Sequence, residues 1–132
     1  MASELKVDKF TGVTTAGSIL VTGEGNSTTT NLQQGLNKVW LQYDQSSSTA
    51  IQDSFNVASI ADNATGKATT TYTNPMNSAS YAIGGCCQGN GLITIPSGGP
   101  ATDNTGALVT ISNGGSDTDY NHVGPSVKGD LA

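Results

Sequence analysis

Residues 38–44 read KVWLQYD, and this heptapeptide decides the fold class. Val39, Leu41 and Tyr43 alternate with Trp40, Gln42 and Asp44. Side chains spaced by two share one face of a strand and no single face of a helix. The segment is therefore a strand with Val39, Leu41 and Tyr43 on one face and Trp40, Gln42 and Asp44 on the other. Trp40, the only tryptophan, is expected to anchor the core through its large apolar area, with sugar stacking as the alternative. The same grammar continues downstream. A QSSST loop leads into a strand over 50–60, with Phe55 and Val57 as core candidates, and residues 62–66 (DNATG) form a turn of the hairpin kind. Further strands are expected at 67–73, 79–84 (with Tyr81 and Ile83 on one face), 92–95, 108–112 and within 120–128. Asn74-Pro75-Met76 and the SGGP loop interrupt them. Strand-sized segments punctuated by Gly, Asn and Asp, with no helical pattern between them, predict an all-β fold: an antiparallel β-sandwich head.

Upstream the pattern changes. Thr30 or Asn31 can cap a short helix over 32–37, with Leu32 and Leu36 at i and i+4. Gly35 inside it costs about 1 kcal/mol relative to Ala, so that helix must be short and held by packing. Before it, 23–31 is a polar connector, and short strands are expected at 4–10 and 18–22. The organisation is then an N-terminal β-arm (1–30), a helical connector (31–37) and a head (38–132).

Composition narrows the partners. Of 132 residues, Gly, Thr, Ser and Asn supply 60, charged residues make only 11%, and the net charge is −5 with five lysines and no arginine. Five scattered lysines cannot neutralise a phosphate backbone, so nucleic acid is not an expected partner. No apolar run reaches membrane-spanning length, and the polar opening lacks a signal-peptide core. Low charge with abundant Thr and Asn fits a turn-rich β-protein rather than a disordered chain. Sizeable apolar side chains are few, and sharing a core among several copies would bury them better.

Chemistry-bearing constellations are sparse. Gly23 and Gly25 give a GxG without the third glycine or the GK[ST] of phosphate loops. Asp62, Asp103, Asp117 and Asp119 sit among turn residues, where Asx-turns are the ordinary role. Asp117-x-Asp119 is not followed by a calcium loop. His122 is the only histidine, there is no GxSxG, and a metal would need three copies of His122 around an oligomer axis. Cys86-Cys87 has no C-x-x-C partner; in a strand one sulfur faces the core and the other faces solvent or a neighbour. The expectation is a non-enzyme without cofactor.

Residues 17–40 (GSILVTGEGNSTTTNLQQGLNKVW), with LQYD at 41–44, SFNVASIADNATG at 54–66, NPMNSASYAI at 74–83 and VKGD at 127–130, resemble proteins of marine bacteriophages identified as tail-fibre or other virion surface proteins. The opening SELKVDKFTG is similar to the start of such fibre chains. The resemblance implies a homotrimeric, β-rich component of the virion surface, made in the host cytoplasm. It would be a capsid decoration or head fibre, or a short tail fibre. On this reading Leu32 and Leu36 are trimer-interface candidates, and Leu5, Val7 and Ile19 are candidates for attachment to other virion proteins. Residues 86–100 and 120–127 are less family-like, so host contact would sit there, with Tyr120 and His122 as candidates. The competing class is a lectin-like module that binds a host-surface glycan.

Overall fold

The computed structural model describes residues 4–14, 19–23, 28–96, 100, 105–111 and 114–131, with backbone alone at Gln34, Ala107, Val109 and Ile111. Ser18, Gly25, residues 97–99, Asp103 and Ser112 lie outside the described residues. The chain divides into two units, Met1–Leu36 and Asn37–Ala132.

In the first unit, residues 4–14 carry no regular secondary structure, so the strand expected at 4–10 is not formed. A half-buried strand needs both a ladder partner and a surface for its apolar face, and period-2 patterning supplies neither. Leu5 is 74% exposed and Val7 47%. β1 (Leu20–Thr22) and β2 (Thr29–Asn31) form an antiparallel pair with Leu20 opposite Asn31 and Thr22 opposite Thr29. Two hydrogen bonds tie its ends, Gly23 N to Thr28 O at 3.0 Å and Leu32 N to Ile19 O at 2.9 Å. α1 (Leu32–Gly35) is a single turn, shorter than the expected 32–37. Leu36 lies past its end, where its N–H reaches Gln33 O at 3.4 Å. Leu32 and Leu36 therefore do not form the stripe of one continuous helix.

The second unit is built from β3 (Val39–Asp44), β4 (Ala50–Phe55), β5 (Val57–Ala64), β6 (Lys67–Tyr72), β7 (Ala82–Cys87), β8 (Leu92–Thr94), β9 (Thr105–Ile111) and β10 (Val123–Lys128). These form two four-stranded sheets, ordered β4-β3-β10-β7 and β5-β6-β9-β8, with every pairing antiparallel. The protein is thus all-β, with α1 its only helix among the described residues. One buried cluster joins Leu41, Tyr43, Cys87 and Val123 of the first sheet to Ala68 and Leu108 of the second. Another gathers Val39, Tyr72, Met76, Tyr81 and Val127. Ile83, expected to share a face with Tyr81, packs at the edge of both clusters.

The strand expected over 50–60 is two strands, and Asn56 separates them. Its φ of 60° lies in the left-handed region that Asn tolerates better than most side chains. There the chain leaves one sheet and enters the other. The Asn56 amide donates to Lys38 O and Asn74 O, both at 3.1 Å, and its Oδ1 accepts Asn74 N at 2.8 Å. Gln45 makes a second clamp: its Nε2 reaches Ala64 O at 3.3 Å and Lys67 O at 3.2 Å, holding the end of β3 to the β5–β6 hairpin. That hairpin turns at Gly66, whose φ is +66° and whose absent Cβ would lie 2.5 Å from Thr110 O. Only glycine fits there.

Pro125 stands in β10, between two neighbours. Pro125 is opposite Gly85 of β7, but the β3–β10 register passes from Val123 opposite Tyr43 to Ser126 opposite Trp40 with no partner for Pro125 on the β3 side. The gap accommodates the missing N–H.

Candidate functional site

The first sheet turns one face inward and one outward, and the register states which residues share the outer one. Trp40 is paired with Phe55, and Gln42 with Asp53. Across β10, Ser126 is opposite both Trp40 and Gly84, and Gly124 is opposite Cys86. Val39, Leu41 and Tyr43 take the buried side.

Trp40 does not anchor the core. It is 37% exposed, and its cross-strand partner Phe55 is 51% exposed. The alternation that buries Leu41 places its neighbour outside, and Phe55, directly opposite Trp40, follows it. Beside the two rings the face is nearly bare. A Cβ added at Gly84 would meet nothing within 4 Å, and one at Gly124 would meet only Cys86 O, at 3.8 Å. This leaves a shallow trough along β10 and β7, beside the aromatic pair.

At the far end of the trough lies an open depression of about 460 Å³ lined by Cys86, Cys87, Gln88, Asn121 and His122. Gln42 Nε2 is 3.2 Å from His122 Nδ1. This contact links the Gln42 amide to the imidazole and steadies both side chains. Gln88 N bonds His122 O at 2.9 Å, fixing the loop that carries the histidine. Asp53 Oδ1 accepts Ser54 N at 2.8 Å. Asp44 accepts the Ser46 hydroxyl at 2.7 Å and its N–H at 2.8 Å, and these bonds hold its carboxyl below the usual range.

Tyr120 and His122 are not placed alike. Tyr120 is half-buried against the first core cluster. Its ring lies where a Cβ on Gly91 would stand, 2.7 Å from Cε2. His122 is exposed, on the outer side. In the first unit, Ile19 is half-buried and anchors the turn before α1 through its carbonyl.

Both cysteines are free, with Cys86 exposed and Cys87 buried. Burial pushes the Cys87 thiol up, with the Cys86 sulfur adding to it. The two point to opposite sides of β7, as adjacent strand residues do. The acidic pair near 117–119 has structural partners. Asp117 pairs with Lys67 at 3.1 Å, and Asp119 Oδ1 accepts Gly66 N at 2.6 Å, so both brace the β5–β6 turn. Among the described residues no three His, Cys, Asp or Glu side chains stand close enough to hold a metal ion.

No family model, curated protein or solved structure matches this chain. The outer face of the first sheet carries two aromatic rings, an amide–carboxylate pair and an open floor.

Proposed function

We propose that this chain is a structural protein of a phage particle surface, whose first unit attaches and whose second unit is displayed. Its two sheets are read as a β-sandwich head, and the assembly as a homotrimer fastened to other virion proteins. The capsid and the tail are both compatible sites of attachment. Assembly and display, not catalysis, are the mechanism.

One observation carries this reading. Among the described residues, seven of the eleven large apolar side chains found exposed belong to the short first unit: Leu5, Val7, Phe10, Val13, Leu20, Val21 and Leu36. Isolated apolar side chains on a surface are ordinary, but such a concentration in 36 residues marks a segment that completes itself against a neighbour. The resemblance of residues 17–40 to fibre proteins supplies the identity of that neighbour, other virion proteins and further copies.

Sedimentation velocity tests the stoichiometry: a trimer at micromolar concentration is expected, and a stable monomer refutes it. Deleting residues 1–25 should remove the protein from particles while the head keeps its β-sheet circular dichroism. Particles that still carry the truncated chain would show that the first unit is not the attachment segment.

A further inference from the structure

We infer that the outer face of the β4-β3-β10-β7 sheet is a binding site for a neutral oligosaccharide, with Trp40 and Phe55 as its stacking platform. The inference goes beyond display and does not depend on where the chain is attached.

A pyranose ring presents a flat patch of C–H groups, with hydroxyls around its rim. A protein face that takes it needs exposed aromatic rings for the patch and planar hydrogen-bonding groups beside them. Trp40 and Phe55 are cross-strand neighbours on that face, and both are exposed. Two residues along, Gln42 and Asp53 are the next cross-strand pair, an amide beside a carboxylate. Gln42 is oriented by its 3.2 Å contact with His122 Nδ1, and the exposed imidazole adds a further polar group beside it. Asp53 spends Oδ1 on Ser54 N, leaving Oδ2 to accept a sugar hydroxyl.

Shape agrees with chemistry. The open space above Gly84 and Gly124 gives a floor beside the rings. The depression at Gln88 and His122 closes its far end. From Trp40 to Asp44 the trough runs about 13 Å, at a strand rise of about 3.3 Å per residue. That is a length for a short chain of sugars rather than for one.

Charge selects the class. Asp44 and Asp53 stand on or beside the face, against the exposed cation Lys128 opposite Ala82, and the whole chain carries −5, so the balance of charge repels uronate or sulfated glycans. The same carboxylates would oppose one another if two copies stacked this face together, which disfavours a second copy as occupant.

The single tryptophan makes the test direct. Full-length protein is titrated with soluble dextran, mannan and β-glucan, with alginate as the anionic comparison, while Trp40 emission and acrylamide quenching are followed. Affinity electrophoresis in the same polysaccharides runs in parallel. At least one neutral polymer is expected to shift Trp40 emission, shield it from quenching and retard migration, whereas alginate does none of these. Trp40→Ala should weaken retardation more than about tenfold, the usual loss on truncating a central aromatic contact. Gly84→Phe should do the same by filling the trough, with Trp40 still present. Both side chains point away from the core, and circular dichroism checks that each variant is folded. Retardation unchanged in both variants, Trp40 emission unmoved by every neutral polymer, or preference for alginate overturns the inference. So does a Trp40→Ala variant that changes the sedimenting species, since the face would then join copies. Failure here with the first unit still needed for particle attachment leaves the display function standing.

Discussion

Tyr43→Phe should make this protein more stable. Tyr43 is wholly buried in the first core cluster, and its hydroxyl has no hydrogen-bond partner among the described residues. Its burial also holds the phenol pKa far above the ordinary value, with the Cys87 sulfur adding to the effect. A buried hydroxyl left unpaired costs about 1–3 kcal/mol relative to water. Removing it leaves a void of roughly one oxygen atom, on the order of 10–15 Å³, which at about 24 cal/mol per Å³ returns only about 0.3 kcal/mol. The net gain is about 1–2 kcal/mol. For a unit of this size each kcal/mol raises the melting temperature by about 4–8 °C. Urea unfolding followed by far-ultraviolet circular dichroism measures it, with an unchanged slope showing that only stability has moved. Tyr72 is the internal control. Its hydroxyl hydrogen-bonds to Thr70 and Tyr81, so Tyr72→Phe should lose about 1 kcal/mol. The two variants must move in opposite directions. A Tyr43→Phe loss of 1 kcal/mol or more would show that the Tyr43 hydroxyl is held by a buried partner, and the reasoning would fall.

Replacing Asn56 with Ala removes both the residue suited to a φ of 60° and the bonds that tie the corner to Lys38 and Asn74; a loss of about 2–3 kcal/mol is expected in urea titration, with Asn56→Gly losing less. In alkali, Tyr72 ionises in the fold only at about 12, against about 10 in an unfolded chain. Its contribution is complete below pH 10 and is lost as pH rises toward 12, so unfolding and tyrosinate absorbance should appear together in that window. Cys86 should react with iodoacetamide in the native protein and Cys87 only after unfolding, because one is exposed and the other buried with a raised pKa; equal labelling of both would contradict the register of β7.

The alternation in KVWLQYD announced a strand with two distinct rows, and the strand is present, with Val39, Leu41 and Tyr43 as the buried row. Trp40 was expected inside because a lone tryptophan has so much apolar area to bury, a preference of residue type that the local period overrides here. Phe55 follows the same logic, since its side is fixed by pairing with Trp40 and strand partners are not written in a single sequence. The division of 50–60 at Asn56 was hidden because one Asn in an otherwise β-prone run does not declare a positive φ. Arm residues 4–10 show the reverse limit. Alternation there signals a strand, but a ladder partner is a property of the whole fold or of an assembly. In the outer face, the Trp40–Phe55 platform was within reach of the sequence, whereas the open floor at Gly84 and Gly124 needed the β7–β10 register.

The placement of β10 has a consequence for how the second unit is made. β10 is the last of the ten strands among the described residues, yet it lies in the middle of its sheet, joining β3 to β7. During synthesis β3 emerges some eighty residues before the strand that must lie against it, so the first sheet stays open until β10 follows. The nascent chain waits with its edges unpaired, the condition in which hydrophobic strands aggregate. Strands rich in Thr, Ser and Gly, with few consecutive large apolar residues, tolerate that delay. The composition that thins the core thus also protects a topology that completes itself late.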